Sequence, residues 1–378
     1  MNPVIRSAST TQYQEDESMA GFEGIKWASR QMRFCLKDKK IDILDMESSV
    51  PAVSRSTHYG MFLAFEGIRF FCMKTEKGIK VNFFNLHKNL ERFQRSMSFN
   101  LSREQQSLIP SVDKLETLFM DFFRDEKIKS FLTETAGAEA QGYLRPFTYD
   151  EDISIGVSFP QNPVIRAVVC RYDRYLGEPF TGVAVPNLVR AVGVNGTGCL
   201  KLSVNYLISI KAVDAARAID PEAGSALFLD DRPYDPIMSR QISEWDTSCC
   251  LFVLRDNTVV KIPESNLILP SVTIQGICAL LRDMDINVEE RAMTYGELVE
   301  RSAKKEIVAI CSVGSAGILN RAQRLVLVGE DGRVIGEQHE DRNHPLYDKM
   351  EQARARYWNI YREKHPVPKG FTLNSFEI

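Results

Sequence analysis

The chain has 378 residues, too many for one ordinary domain and enough for two that each bury a core. Hydrophobic residues make up 44% and charged residues 26%, as in globular proteins, and a net charge of −3 provides no electrostatic footprint for nucleic acid. No apolar run approaches the length of a membrane helix, and the polar start over residues 1–18 lacks the layout of a signal peptide. We therefore expect a soluble, cytoplasmic enzyme with no nucleic-acid or membrane partner.

The first third of the chain predicts an extension, a sheet and two helices. Residues 1–24 are rich in Ser, Thr, Gln and Glu with little apolar pattern, which predicts a flexible extension. Apolar runs at 41–44 and 69–73 predict strands of a first sheet. Two amphipathic helices are predicted from apolar residues spaced three and four apart: Leu86, Leu90, Phe93 and Met97 in one, and Leu115, Leu118, Phe119 and Phe122 in the next.

A polar stretch divides the chain near its middle. Strand-like apolar runs occupy 153–159 and 164–170, and the pattern is then broken over 171–179. We place an interdomain loop at 171–179, between a small N-terminal α/β domain at 25–170 and a larger C-terminal domain at 180–378.

The second half predicts a mixed α/β arrangement. A helix is expected at 206–218, a buried strand at 226–229, and a hairpin formed by 250–254 and 259–262. The remaining predicted elements are a strand at 286–291, a helix opened by the capping box of Thr294 and Glu297, and a long amphipathic helix carrying Leu346, Met350, Ala353, Tyr357 and Ile360.

Cysteines and histidines predict no metal site. The eight cysteines have no Cys-x-x-Cys spacing and mostly sit in apolar runs, which is typical of reduced, buried thiols. The histidines have no metal-ligand spacing. The glycine-rich stretch 193–198 lacks the Lys-Ser/Thr ending of a P-loop, so we interpret it as a flexible turn before a strand at Lys201.

Several motifs occur in order over roughly residues 40 to 320. They are His58-Tyr59-Gly60 with Phe65-Glu66-Gly67-Ile68-Arg69, Tyr143-Leu144-Arg145-Pro146, Lys201-Leu202-Ser203-Val204-Asn205-Tyr206-Leu207, Ser243-Glu244, Leu269-Pro270-Ser271-Val272-Thr273, and Cys311-Ser312-Val313. The set resembles the branched-chain amino acid aminotransferases of fold type IV, a family that depends on pyridoxal 5'-phosphate. The resemblance implies a two-domain α/β fold, with the cofactor between the domains, and a homodimer.

The resemblance assigns Lys201 as the catalytic residue, because a lysine that sheds its proton can form a Schiff base with the cofactor and then move the substrate's α-proton. Glu244 would face the ring nitrogen. The phosphate would be held by Arg92, the Val272 and Thr273 amides at a helix start, and the Ser312 hydroxyl. Asn205 and Tyr206 would line the cofactor pocket.

Substrate residues are implied in the same way. Tyr59, Arg145 and Tyr175 would bind the side-chain carboxylate of glutamate, and Tyr143 with the amides of Ser312 and Val313 the α-carboxylate. The other implied substrate-binding residues are Phe65, Arg69 and Val157. Together they imply transfer of an amino group from a hydrophobic, branched-chain L-amino acid to 2-oxoglutarate by a ping-pong mechanism.

Each residue also has a simpler interpretation. Taken alone, Lys201 is a strand-end lysine with an exposed amine, Glu244 a loop carboxylate in solvent, and Arg92 part of a solvated helix face beside Glu91. The aromatic residues, taken alone, are as well explained by core packing.

The sequence also departs from the family pattern and leaves other functions open. Ser203 and Val204 replace two glycines, Cys249 an asparagine, Ile274 an arginine and Cys311 a glycine. The alternatives are another fold type IV enzyme, such as a D-amino acid aminotransferase or an aminodeoxychorismate lyase, and a non-catalytic scaffold that keeps the fold, with or without the cofactor, for binding or regulation.

Overall fold

A computed structural model of the protein describes residues 24–172, 179–190 and 196–378. The strands in these ranges are β1 (Ile25–Cys35), β2 (Ile41–Asp45), β3 (Ile68–Thr75), β4 (Gly78–Phe84), β5 (Gln141–Asp150), β6 (Pro163–Tyr172), β7 (Phe180–Ala184), β8 (Ala223–Leu229), β9 (Ile242–Trp245), β10 (Cys249–Leu254), β11 (Thr258–Lys261), β12 (Asn287–Glu290), β13 (Ile307–Gly314), β14 (Ile318–Val328), β15 (Val334–His339) and β16 (Leu373–Glu377). The helices are α1 (Arg55–Tyr59), α2 (Leu86–Ser98), α3 (Val112–Phe123), α4 (Glu126–Gly137), α5 (Leu207–Ile219), α6 (Val272–Arg282), α7 (Tyr295–Ala303) and α8 (Pro345–Tyr361). The predicted extension lies outside these ranges apart from Gly24. None of these helices is long and apolar enough to span a membrane.

The fold is mixed α/β with two sheets, as the sequence predicts. The first sheet has the strand order β16-β4-β3-β5-β6-β1-β2, and every neighbouring pair in it is antiparallel. Helices α2, α3 and α4 contribute buried side chains to its core. The apolar residues predicted for α2 and α3 are all buried there. Ser111 caps α3 by accepting a hydrogen bond from the Lys114 N–H group at 3.2 Å.

The second sheet has nine strands in the order β12-β11-β10-β13-β14-β7-β8-β9, with β15 paired to β14. Its pairing is mixed, because β7 runs parallel to both β8 and β14 while β13 is antiparallel to β10 and β14. Its core extends over α6 and α8 and contains Trp245, which is fully buried. Helix α5 and strand β8 contribute to a separate small cluster.

The end of the chain connects the two sheets. After α8, strand β16 pairs with β4 and becomes an edge of the first sheet, although the sequence assigns it to the C-terminal domain. Residues 173–178, within the predicted interdomain loop, lie outside the described ranges. We propose two domains built on the two sheets, with residues 373–377 belonging to the first.

The predicted strand at 153–159 is wrong. These residues form a loop in which the alternating apolar side chains face solvent. Arg55 holds it, since its guanidinium donates to the Gly156 carbonyl and to the hydroxyls of Ser154 and Ser158, each at 2.9 Å. An alternating pattern predicts a strand only where one face is buried, and here neither face is. The strand expected at Lys201 is likewise an extended loop with one isolated β-bridge, between Leu202 and Ala64.

Candidate active site

The backbone of Lys201 is held by two residues from the first third of the chain. Its N–H donates to the Ser96 hydroxyl on α2 at 2.9 Å, and its carbonyl accepts from the Phe65 N–H at 3.0 Å. The Lys201 ammonium lies 2.8 Å from the Tyr206 hydroxyl and 5.0 Å from the centre of the Phe65 ring. The amine is therefore oriented by two aromatic residues and is only partly exposed.

A wall of aromatic and arginine side chains adjoins this lysine. The Phe65 ring meets the Tyr206 ring edge-on at 5.0 Å, and the Arg145 guanidinium lies 4.9 Å from the Phe65 ring centre. Arg145 Nη2 also donates to the Tyr143 hydroxyl at 2.9 Å. Gly67 is required for this arrangement, because a Cβ at that position would lie 1.8 Å from the Tyr143 hydroxyl oxygen.

Arg92 is buried inside the protein and is not part of a solvated helix face. Its Nε and Nη2 donate to the two carboxylate oxygens of Glu66 at 2.7 and 2.5 Å, and both side chains are buried. Burial on its own would raise the pKa of the Glu66 carboxyl, but the charge and hydrogen bonds of Arg92 outweigh it and lower that pKa. Arg92 Nη1 reaches the Pro270 carbonyl at 2.6 Å, which brings the guanidinium to the start of α6.

The N-terminus of α6 has the features of an anion site. Ser271 is the N-cap and accepts from the Ile274 N–H at 3.2 Å. Val272 and Thr273 supply first-turn amides, which have no partner inside a helix and attract anions together with the helix dipole. The Thr273 side chain bonds to Tyr357, whose pKa burial raises to about 12.

This end of α6 is closely packed. A cavity of ≈10 Å³ lies there, lined by residues that include Gly67, Arg69, Asn89, Thr273 and Ser315. That is about the space of one water molecule. A phosphate group therefore enters only if neighbouring side chains move.

Glu244 is also buried, not exposed in a loop. It lies on β9, its carboxylate is 2.8 Å from Arg190 Nη1, and it accepts from the Leu269 N–H at 3.2 Å. Burial raises the pKa of the Glu244 carboxyl, and the charge of Arg190 opposes the rise. The Arg190 guanidinium is 5.6 Å from the Tyr206 ring centre, which links this carboxylate to the Lys201 group.

Three residues at the site received no role from the sequence. Glu66 lies inside the first motif, and its position between Phe65 and Gly67 is the only signal that could have identified it. Arg190 is in an irregular segment with no motif of its own. Its Nε and Nη1 are buried and have no well-aligned hydrogen-bond acceptor among the described residues, but Nη1 lies 2.8 Å from the Glu244 carboxylate. This ion pair offsets the burial of the Arg190 charge. Cys249 was noted only as a departure, and its thiol lies 3.8 Å from the Glu244 carboxylate.

Two predicted site residues make hydrogen bonds within the chain. The Asn205 amide donates to the carbonyls of Thr197 and Leu200 at 2.6 and 2.9 Å, so it holds the loop before Lys201. The Arg69 guanidinium donates to the Ser315 carbonyl at 2.6 and 2.8 Å and to the Ala316 carbonyl. It therefore connects β3 to the β13–β14 turn. A cofactor contact of Asn205 and a substrate contact of Arg69 stay predictions.

The remaining predicted residues are on other segments or lie outside the described ranges. Ser312 and Val313 are on β13, where the Ser312 hydroxyl is 2.6 Å from that of Ser248 and Val313 is buried. Tyr59 is half-exposed and donates to the Ile155 carbonyl at 2.8 Å, and Val157 is 73% exposed. Tyr175 lies outside the described residues. Their substrate contacts stay predictions.

The side chains of this site provide groups for proton exchange, cation pairing and phosphate binding. The site combines an amine that can exchange a proton with a neighbouring hydroxyl, a buried carboxylate that can pair with a cation, and a helix N-terminus with an arginine suited to a phosphate. All eight cysteines are free thiols. Among the described residues no group of three or more His, Cys, Asp or Glu could hold a metal ion.

The known proteins similar to this chain, in sequence and in structure, include several branched-chain aminotransferases. The chain is 25% identical over 371 residues to branched-chain-amino-acid transaminase 1 of Bacillus subtilis, covering 92% of this chain and 94% of that protein. A branched-chain aminotransferase from Thermoproteus uzoniensis with norvaline has a similar structure, with a TM-score of 0.64, 20% identity, and coverage of 91% and 99%. A branched-chain amino acid aminotransferase of T.th. complexed with N-(5'-phosphopyridoxyl)-L-glutamate has a TM-score of 0.63 at 18% identity, with coverage of 90% and 97%. No family model matches the chain.

Proposed function

We propose a function from one premise: the chain belongs to the branched-chain aminotransferase family of fold type IV, and it is an enzyme of the transaminase class. We infer that it moves the amino group of a hydrophobic, branched-chain L-amino acid to 2-oxoglutarate, with pyridoxal 5'-phosphate as cofactor. The observation that carries this proposal is the surroundings of Lys201. Its amine contacts the Tyr206 hydroxyl, and its positive charge opposes the effect of burial on the pKa values of the Glu66 and Glu244 carboxyls.

The donors at the start of α6 suit the cofactor's phosphate group, which the closely packed side chains there admit only by moving. The phosphopyridoxyl ligand of the T.th. relative supports pyridoxal phosphate. Arg92 and the first-turn amides of α6 would hold the phosphate, and Glu244 would pair with the ring nitrogen, since a cation placed there offsets the burial that raises its pKa. When bound, the cofactor supplies an aldehyde that takes up the amino group and a ring that accepts electrons from the α-carbon.

The chain's own residues would orient the substrate and move its proton. The Lys201 amine, held by the Tyr206 hydroxyl, would take the α-proton and return it. Arg145, with Tyr143 as hydrogen-bond partner, offers a cation for a substrate carboxylate, and the Phe65 ring gives an apolar contact for a hydrophobic side chain. A single pocket of this kind suits donor and acceptor in turn.

Initial-rate kinetics test the proposal. With L-leucine and 2-oxoglutarate varied together, we expect parallel double-reciprocal lines, because the amino acid and the oxo acid use one site in succession. D-Alanine and an aminodeoxychorismate-type substrate serve as controls, and we expect both to be poor substrates. Intersecting lines, or a preference for either control substrate, would contradict the proposal.

We also propose a cytoplasmic homodimer. The eight free thiols support a reducing compartment. The loop at 153–159 supports an interface, because Ile153, Ile155, Val157 and Phe159 are each at least 52% exposed on it.

Val157→Asp is expected to shift the protein from about twice 42.9 kDa to the mass of one chain, measured by size-exclusion chromatography with light scattering. Leu207→Asp is the matched control, because Leu207 is an equally exposed apolar residue on α5. A dimer that survives Val157→Asp but dissociates with Leu207→Asp would place the interface elsewhere.

A further inference from the structure

A cavity separate from the candidate active site lies at the other end of α6. Its volume is ≈580 Å³. Its walls come from β11, α6, β12 and the segment before β16, with the lining residues Lys261, Glu264, Gln275, Cys278, Ala279, Arg282, Asp283, Glu290, Pro368, Lys369 and Phe371. None of the residues assigned to the candidate active site lines it. Its size is that of a small-molecule site, typically about 300–1,000 Å³.

Some of the charged groups in this cavity already have partners. Lys261 is 7% exposed, and its ammonium lies 2.9 Å from the Glu290 carboxylate. An ammonium has three N–H donors, so this one ion pair leaves donors available on the cavity side. Gln275 donates to the Glu264 carboxylate at 3.1 Å, which leaves the second carboxylate oxygen of Glu264 for another donor.

Three other charged groups have no partner among the described residues. The side chains of Arg282, Asp283 and Lys369 make no hydrogen bond or ion pair there, although all three line the cavity, and all three are exposed. Burial raises the pKa of the Cys278 thiol to about 11, and the charges of Arg282 and Lys261 oppose the rise. The cavity therefore presents unpaired charges of both signs.

The balance of charges selects the chemical class of ligand. Three cations, Lys261, Arg282 and Lys369, line the cavity together with the three carboxylates of Glu264, Asp283 and Glu290. The carboxylates would repel a polyanion such as a nucleotide. An apolar molecule would remove water from the six charges and offer them no hydrogen bonds in return. A neutral ligand that carries one positive and one negative group matches both sets.

We propose that this cavity binds a free amino acid as its zwitterion. The ligand carboxylate contacts Arg282 and Lys369, and its ammonium contacts Asp283 and Glu264. The apolar side chain lies against Ala279, Pro368 and Phe371, which line the same space. This site is additional to the substrate site around Lys201 and does not depend on the proposed function.

Isothermal titration calorimetry of the full-length holoenzyme tests the proposal with α-methyl-L-leucine, α-methyl-L-phenylalanine and α-methyl-L-glutamate. These probes keep the carboxylate and the ammonium but have no α-hydrogen, so amino transfer does not consume them. The titrations are made in an Arg145→Ala background, with Lys201→Ala as a second background, so that binding at the candidate active site is separated from binding in the cavity.

At least one probe is expected to bind saturably in these backgrounds. Arg282→Glu is expected to weaken that binding at least about tenfold, because a carboxylate then faces the ligand carboxylate. Arg333→Glu is the matched control, since Arg333 is an exposed arginine that does not line the cavity, and it should leave the affinity unchanged. Absence of saturable binding in both backgrounds, equal affinity in Arg282→Glu, or binding of inorganic phosphate alone would overturn the proposal.

Discussion

Replacing Lys201 by alanine is expected to lower kcat by at least about 10²-fold, because general acid–base catalysis contributes about 10²–10⁴-fold and the α-proton then has no amine to receive it. Tyr206 cannot compensate, since its hydroxyl is oriented toward the lost amine. The measurement is amino transfer from L-leucine to 2-oxoglutarate, together with the visible absorption of bound cofactor. In the wild type that absorption should shift to that of the pyridoxamine form when L-leucine is added, and in Lys201→Ala it should not reach that form.

Two comparisons make this result specific to the Lys201 amine. Lys211→Ala removes an exposed lysine on α5, 3.8 Å from Asp214, and should retain full activity. Added methylamine should partly restore Lys201→Ala, because a free amine can enter the space left by the side chain. Wild-type activity in Lys201→Ala would exclude the lysine mechanism, and a wild-type protein without bound cofactor would favour the scaffold alternative.

Glu66→Gln is expected to cost about 3–5 kcal/mol of unfolding free energy, because it leaves the buried Arg92 charge without its counter-charge. The loss is large since both partners are buried and both Arg92–Glu66 hydrogen bonds are charge-assisted. Urea denaturation at neutral pH, followed by circular dichroism, measures it. Glu91→Gln, next to Arg92 but paired with Lys88 on the exposed helix surface, is the control and should not shift the midpoint.

The effect of Glu66→Gln should also depend on pH with a defined sign. The pKa of Glu66 in the folded protein is lowered from its ordinary value of 4.5. Its stabilisation is therefore complete above about 4.5 and is lost as the pH falls through the lower folded pKa. The stability difference between wild type and Glu66→Gln should shrink below pH 4.5, and a difference that grows on acidification would show that Glu66 is not ionised in the folded protein.

Most regular elements were predictable because their signals are local. The apolar stripes of α2 and α3 and the capping box at Thr294 predict helices that the structure contains. The error at 153–159 has a physical cause, since alternation in sequence does not reveal whether a second surface covers one face of the segment. The return of β16 to the first sheet was not predictable either, because strand pairing over nearly the whole chain has no local signal.

The candidate site was predictable in its motifs but not in its pairings. Lys201 and Glu244 were identified by resemblance, whereas taken alone each is an ordinary surface residue. The structure shows their partners, because Glu244 is buried against Arg190 and Lys201 is in contact with Tyr206. The hydrogen bonds of Asn205 and Arg69 within the chain were not predictable, since a motif position does not specify which way a side chain points.

The sequence by itself indicated the resemblance to the branched-chain aminotransferases, the mixed α/β class and the lysine on which the proposed chemistry depends. These are properties of short segments, and their order along the chain is enough to recognise them. Only the tertiary structure decided that Glu66 neutralises Arg92, that Arg190 accompanies Glu244, and that a second cavity of mixed charge lies at the far end of α6. Such partners come from distant segments, and their approach depends on how two sheets and their helices pack, which no local pattern encodes.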